Sequence, residues 1–183
     1  MNAQQASSSF DSPTPPAASL HWLRSIQPTT AEAWDRLGDH LSVVLDALEE
    51  DEYLILMVKR SSYFVQFAGQ GALGLRVEAV SSFYLPERET LSEAQHEALL
   101  KLGWHAPTKL PDLPGIEHEP DGSPNYFLDL ASPVDAARVA VIATNTLRHV
   151  FGASHPGRLE YRAFAEDGTS IRFPTLGIRR AAP

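Results

Sequence analysis

Three glycines between two apolar segments constrain the fold of this chain more than any other sequence feature. Residues 67–75 read FAGQGALGL, and Gly69, Gly71 and Gly74 have the spacing of the G-x-G-x-x-G dinucleotide fingerprint. That fingerprint binds pyrophosphate only where a helix begins after the third glycine and presents its N-terminus. Here residues 75–80 read LRVEAV, and apolar and charged residues alternate with the period of two typical of a strand. The glycines are therefore predicted to connect two strands, where their access to positive φ is useful.

The remaining elements are predicted in the order α-β-β-β-α-β-α, followed by a C-terminal β-hairpin. A first helix begins at the capping box formed by Thr29 and Glu32 and runs to about residue 50. Short runs rich in β-branched and aromatic residues predict strands, and Asp167-Gly168 predicts the hairpin turn. The order indicates an α+β fold, an antiparallel sheet with helices packed on one face. The strands are predicted at 53–58, 63–68, 75–85, 125–130, 159–165 and 169–173, and the later helices begin near Thr90 and Ser132 and end at Gly103 and Gly152.

Composition sets the number of domains and the kind of partner. The 183 residues, 43% of them hydrophobic, can bury one ordinary core, so we expect a single domain over residues 20–176. Residues 1–19 are rich in Ser, Pro, Ala and Gln and are expected to form a disordered tail, and residues 177–183 a frayed end. The net charge of −8 argues against a nucleic acid or an anionic membrane as the partner.

The lack of cysteine and of long apolar runs narrows the cellular setting. Without cysteine, disulfides, thiolate catalysis and cysteine metal sites are excluded. The chain begins with neither a basic segment nor an apolar run, so we expect no secretory signal. No run approaches the roughly 18 apolar residues of a membrane span. We therefore expect a soluble protein of the cytoplasm.

Two stretches that contain histidine raise the question of a metal site. His96-Glu97 begins like the H-E-x-x-H zinc helix, but Leu100 stands where the second histidine would be. Glu117-His118-Glu119 lies in a proline-rich loop over residues 105–124, and adjacent loop residues rarely converge on one ion without further ligands. No nucleophile with a base, no G-x-S-x-G and no convergent acid pair can be placed on one element. We therefore predict no catalytic residue, no metal site and no cofactor.

Several segments of the chain together resemble a known superfamily. They are YFVQFAGQG, GLRVEAVSSFYLP, a helix ending in LKLGWHAP, and NYFLDLASP followed by a long helix. In this order they look like the YbjN and type III secretion chaperone-like superfamily, in its actinobacterial-type peptide-binding chaperone branch, over about residues 30–152. Phe83 stands where the pattern would have an asparagine. The resemblance implies a noncatalytic module that binds a peptide or a partner protein, often as a dimer.

The strand patterns also predict where such a partner would bind. If helices cover one face of the sheet, the opposite face carries mixed polar and aromatic side chains, a composition typical of partner sites. The alternative is that the C-terminal hairpin or a second subunit covers this face. Substitution of Arg76 and Asp129 is expected to weaken partner binding without unfolding the chain. The six residues predicted to form the site are Phe64, Gln66, Arg76, Glu78, Phe127 and Asp129.

Two other functions stay open beside the peptide- or protein-binding module. A small-molecule or nucleotide-dependent enzyme or regulator would use the GQGALG loop and the histidines, since catalytic residues can converge from distant positions. A purely structural interaction domain would differ from the binding module only in its partner. The expected partners are a peptide, a partner protein or a second copy of the chain.

Overall fold

The computed structural model describes residues 29–108 and 123–182, which form three α-helices and one six-stranded sheet. The predicted α+β class and the order of the elements are confirmed. A π-helical turn, Thr146–Val150, directly follows the third helix. The elements are α1 (Thr30–Asp46), β1 (Glu52–Val58), β2 (Phe64–Gly69), β3 (Leu75–Ala79), α2 (Glu93–Lys101), β4 (Tyr126–Leu130), α3 (Ala136–Asn145), β5 (Leu159–Ala165) and β6 (Arg179–Arg180).

The sheet has the strand order β4-β3-β2-β1-β5-β6. Neighbouring strands are antiparallel except β5 and β6, which run parallel. In the register of the central strands, Gln66 lies opposite Glu78 and Arg76 lies opposite Asp129. Directly paired residues point to the same face of a sheet, so the register places side chains from distant parts of the sequence side by side.

The core lies between one face of the sheet and the helices. On the central strands β1, β2 and β3, every second side chain is buried, as the period of two requires. Helix α1 contributes an apolar stripe at helical spacing to the same cluster, and α3 contributes small residues that allow close packing. Core members include Trp34, Leu37 and Leu41 of α1, Leu54 and Leu56 of β1, Val65 and Phe67 of β2, Val77 of β3, and Val139, Ala140 and Ala143 of α3.

The glycine-rich segment connects β2 to β3, and the prediction that a strand follows its third glycine is confirmed. Gly71–Leu73 form one 3₁₀ turn. A Cβ added at Gly69 would lie 1.9 Å from the carbonyl oxygen of Glu49, and one at Gly74 would lie 1.9 Å from the carbonyl oxygen of Leu130. Gly74 also has a φ of 113°, which side chains disfavour. Close approach of backbone therefore accounts for both glycines.

Two elements end earlier than predicted: helix α1 ends at Asp46 and not near residue 50, and strand β3 ends before Leu85. Strand β3 ends at Ala79 and does not reach Leu85. The reason is that Ser81 turns the chain: its N–H donates to Oδ1 of Asn125 at 3.1 Å, and its hydroxyl donates to the carbonyl oxygen of Pro124 at 2.6 Å. Two short 3₁₀ turns follow before α2 begins.

The two later helices begin further along the chain than the prediction had them. Helix α2 is capped by Ser92 and Gln95, whose side chains bond each other's backbone in a capping box, and not from Thr90. Helix α3 begins after Asp135, which accepts from the backbone N–H of Arg138 at 3.0 Å. Aspartate and serine are about equally good N-caps, so residue type alone does not decide between Ser132 and Asp135.

The C-terminal hairpin forms with a shorter second arm than predicted. The turn at Asp167-Gly168 is present, and pairing beyond it is an isolated bridge between Phe164 and Ser170. Phe173 then packs partly against the core, and Pro174, which has no N–H to donate to a ladder, begins a 3₁₀ turn. Strand β6 lies in the segment 177–183, where a frayed end was expected. The predicted tail over residues 1–19 lies outside the described residues.

Candidate functional site

One face of the sheet carries the side chains that alternate with the core residues, and all six predicted site residues lie on it. The register pairs Gln66 with Glu78, Glu78 with Phe127, and Arg76 with Asp129. The side chains of this face are half-buried or exposed. We call this surface the open face. It comprises Tyr53, Ile55, Met57, Phe64, Gln66, Ala68, Arg76, Glu78, Phe127, Asp129, Glu160, Arg162 and Phe164.

The Glu78 carboxylate lies at the centre of the polar part of the open face. Its Oε2 accepts from Nε2 of Gln66 at 2.7 Å and from Nδ2 of Asn125 at 3.2 Å. Its Oε1 accepts from the hydroxyl of Ser123 at 2.7 Å and from Nε of Arg76 at 3.0 Å. Four donors, from β2, β3 and the segment before β4, therefore converge on one carboxylate.

These donors determine the protonation of Glu78. Burial disfavours the charged carboxylate and raises its pKa, and this is the largest single effect. The hydrogen bonds from Ser123, Asn125, Arg76 and Gln66 act in the opposite direction and together outweigh it, so the pKa of Glu78 lies below its ordinary value. The group is ionised at neutral pH and serves as a fixed acceptor.

Arg76 extends this network to the edge strand β4. Its Nη1 donates to both carboxylate oxygens of Asp129, at 3.1 and 3.2 Å. Its guanidinium carbon lies 5.2 Å from the centroid of the Phe127 ring, within the range of a cation–π interaction. The structure thus brings five of the six predicted residues into one network. Phe64, the sixth, lies on the same face but packs partly against the core.

A pocket of about 190 Å³ adjoins this network. Its walls include Tyr53 and Ile55 of β1 and Phe164 of β5, beside Gln66 and Arg76. The rings of Tyr53 and Phe164 stack with centroids 5.3 Å apart. A mostly apolar pocket with a few fixed polar groups is the usual form of a binding site.

Sequence reasoning missed the residues that β1, β5 and the segment before β4 contribute. Strand β1 reads EYLILMV and is apolar on both faces, so its pattern did not show that Tyr53 and Ile55 face outward. Ser123 and Asn125 are buried and hold Glu78, but they follow a proline-rich stretch with no periodicity. The alternation in LEYRAFA was the signal that could have identified Phe164.

A second depression, a groove of about 400 Å³, lies between α1 and α3 on the helical side of the fold. Asp35, Asp39 and Ser42 line one wall, and Thr144 and Arg148 line the other. None of the predicted site residues lies there. Six of its ten lining residues are polar or charged, whereas five of the eight residues that line the pocket on the open face are aromatic or aliphatic.

The histidines do not assemble a metal site in the described parts of the chain. Nδ1 of His96 forms a hydrogen bond with the hydroxyl of Tyr126. Burial raises the pKa of Tyr126, and the charge of Glu93 adds to the effect. Within residues 29–108 and 123–182, no three His, Asp or Glu side chains converge as a metal ion requires. Glu117-His118-Glu119 lies outside the described residues.

Over the two described ranges, no helix is both long enough and apolar enough to cross a bilayer.

Comparison with known protein families gives a match over most of the chain. The family model described as T3SS (YopN, CesT) and YbjN peptide-binding chaperone 3 matches residues 27–165. No curated protein and no solved structure matches the chain. The matched range contains every residue of the open face, and it confirms the resemblance noted in the sequence.

Proposed function

This chain belongs to the T3SS and YbjN peptide-binding chaperone family, and from that premise we propose that it is a noncatalytic module whose open face binds a peptide or a segment of a partner protein. One observation carries the assignment to this face. Five outward-facing residues form a connected network beside an apolar pocket, and all of them lie inside the matched range.

The network suits binding because it is already ordered. Glu78 is held by four donors and Arg76 by two carboxylates, so the face loses little side-chain freedom when a partner arrives. Aromatic side chains supply contact area with few rotatable bonds, and Tyr53, Phe127 and Phe164 provide them here. The combination favours a partner that contributes apolar contacts over one that is recognised by charge alone.

An enzyme that uses the glycine loop is less well supported. The third glycine is followed by β3, so the loop does not lead to the helix N-terminus that a phosphate would need. A general base works best with a pKa near the working pH, whereas the pKa of Glu78 is lowered and its oxygens are occupied. These facts favour the noncatalytic module.

We propose the cytoplasm as the setting of this activity. The absence of cysteine is compatible with a reducing compartment. A second copy of the chain is a further candidate partner for the open face. Native mass spectrometry of the full chain separates a homodimer from a monomer that binds peptides.

The proposal is tested with an array of random 12-residue peptides probed with the full chain and two charge-reversal variants. Asp129→Lys changes the rim of the open face, and Asp39→Lys makes the same change in the groove between α1 and α3. Asp129 is the better target than Arg76, because Arg76 also holds the half-buried Glu78. Circular dichroism checks that both variants are folded.

We expect the wild-type chain and Asp39→Lys to capture the same peptides, and Asp129→Lys to bind them at least tenfold more weakly. Reversing this charge removes the acceptor for Arg76 and places two cations side by side. The proposal fails if the wild-type chain captures no peptide. It also fails if Asp39→Lys no longer captures the peptides while Asp129→Lys still does.

A further inference from the structure

The pocket on the open face exists because one position in a row of large side chains is small. From β4 to β5 the register aligns Asp129, Arg76, Ala68, Tyr53 and Phe164. Adjacent strands lie about 4.8 Å apart, so these side chains stand next to one another across the sheet. Arg76, Tyr53 and Phe164 are long or aromatic, Asp129 stands at the edge of the row, and only a methyl group projects from Ala68. The pocket is the space above that methyl group.

The dimensions of this space correspond to a single side chain. Its volume is about 190 Å³. For comparison, an apolar protein cavity of about 150 Å³ holds one benzene molecule. Tyr53 and Phe164 form one wall, and Ile55 contributes an aliphatic surface beside them. An aromatic or branched aliphatic side chain would therefore fill it without displacing the surrounding residues.

The polar groups of the pocket favour a neutral occupant. Gln66 donates to Glu78, and Arg76 donates to both Glu78 and Asp129. Glu78 in turn accepts four hydrogen bonds. A charged ligand group would compete with hydrogen bonds that already exist among these residues, and it would lose its own hydration on entering.

We propose that Ala68 makes the open face selective for partner segments that carry a bulky, neutral apolar side chain, which enters the pocket above its methyl group. The inference rests on the proposed function, since it specifies which partner side chain that face accepts. Ala68 is thus a specificity-determining residue, and an enlarged side chain at this position closes the site from within.

The direct test uses N-acetyl-phenylalaninamide as the probe and the full chain labelled at the δ1 methyl of Ile55. Nuclear magnetic resonance follows this methyl as the probe is added at millimolar concentrations, the range expected for a ligand of this size. Ala68→Phe fills the pocket. Ala94→Phe makes the same change at an exposed position of α2 and is the matched control. Ala68→Leu serves as a second pocket-filling variant should the phenylalanine variant not fold.

We expect a saturable shift of the Ile55 methyl in the wild-type chain and in Ala94→Phe, and at least tenfold weaker binding in Ala68→Phe or Ala68→Leu. The lysine and glutamate analogues of the probe should bind at least tenfold more weakly to the wild-type chain. The inference is overturned if a folded pocket-filling variant binds the phenylalanine probe within twofold of wild type, or if a charged analogue binds equally well.

The peptide array separates failure of this inference from failure of the proposed function. If the wild-type chain and Ala68→Phe capture the same peptides, the selectivity assigned to Ala68 is wrong while the peptide-binding module stands. If the wild-type chain captures no peptide, the proposed function fails and the inference fails with it.

Discussion

Replacing Glu78 by glutamine has a cost that follows directly from its surroundings. Glu78→Gln keeps the shape of the side chain but turns one acceptor oxygen into an NH₂ donor. In one orientation the NH₂ faces Asn125 and Gln66, and in the other it faces Arg76 and Ser123. In the wild-type protein all four of these groups donate to the carboxylate.

Only two of the four neighbours can adapt to the new donor. The amide of Gln66 can turn over, and the hydroxyl of Ser123 can rotate. Arg76 has no acceptor, and the amide oxygen of Asn125 already accepts from the backbone N–H of Ser81 at 3.1 Å. One donor therefore opposes another in either orientation. Hydrogen bonds to charged groups contribute about 1.5–3 kcal/mol each, so we expect Glu78→Gln to lower the free energy of unfolding by about 3 kcal/mol.

Urea unfolding at pH 7, followed by tryptophan fluorescence, measures this loss. With a denaturant slope of about 2 kcal/mol per molar, the midpoint should fall by about 1.5 M. Glu160→Gln is the matched control: Glu160 lies on the same face and makes no side-chain hydrogen bond within the described residues. The free energy of unfolding of this control should change by less than about 0.5 kcal/mol.

The pH dependence of the same measurement provides a second check. The pKa of Glu78 is lower in the folded protein than in the unfolded chain. Its stabilising contribution is therefore complete above the unfolded pKa of about 4.3 and is lost as the pH falls through the folded pKa. The difference in the free energy of unfolding between wild type and Glu78→Gln should become smaller below about pH 4. Equal midpoints for wild type and Glu78→Gln at pH 7, or a difference that stays constant down to pH 3, would contradict the role given to Glu78.

Two further substitutions test the packing account through urea midpoints. Gly74→Ala should destabilise the fold by more than about 2 kcal/mol, because the new Cβ would lie 1.9 Å from the carbonyl oxygen of Leu130. Gly38→Ala in α1 should instead stabilise it by about 0.5–1 kcal/mol, because the new Cβ meets no atom within 4 Å. Midpoints that move in the same direction would contradict this. Thr146→Val should cost about 1–3 kcal/mol, since the buried indole N–H of Trp104 loses its acceptor at 2.9 Å. An unchanged midpoint would show that this hydrogen bond contributes nothing.

Local patterns were sufficient to predict the strands that are polar on one face. The alternation in residues 75–80 placed Arg76 and Glu78 on the side opposite the core, and Phe127 and Asp129 followed from the same rule. The capping box at Thr29 likewise located the start of α1. These signals depend on residues a few positions apart, so they are visible in one sequence.

The parts that could not be predicted depend on contacts between distant residues. Nothing in the sequence shows that β5 lies beside β1, and without this pairing the stack of Tyr53 on Phe164 cannot be foreseen. The role of Ser123 and Asn125 depends on the turn that brings the segment before β4 to Glu78. The pocket itself requires the register of β1, β2 and β3 to be known.

The central claim is that the open face, and not the helical side, receives the partner. The measurement that tests it most directly is a backbone amide nuclear magnetic resonance titration of the full chain with the best peptide from the array. We expect the largest shifts to cluster at Tyr53, Ile55, Ala68 and Phe164. Shifts concentrated instead along the groove between α1 and α3, around Asp39, would contradict it.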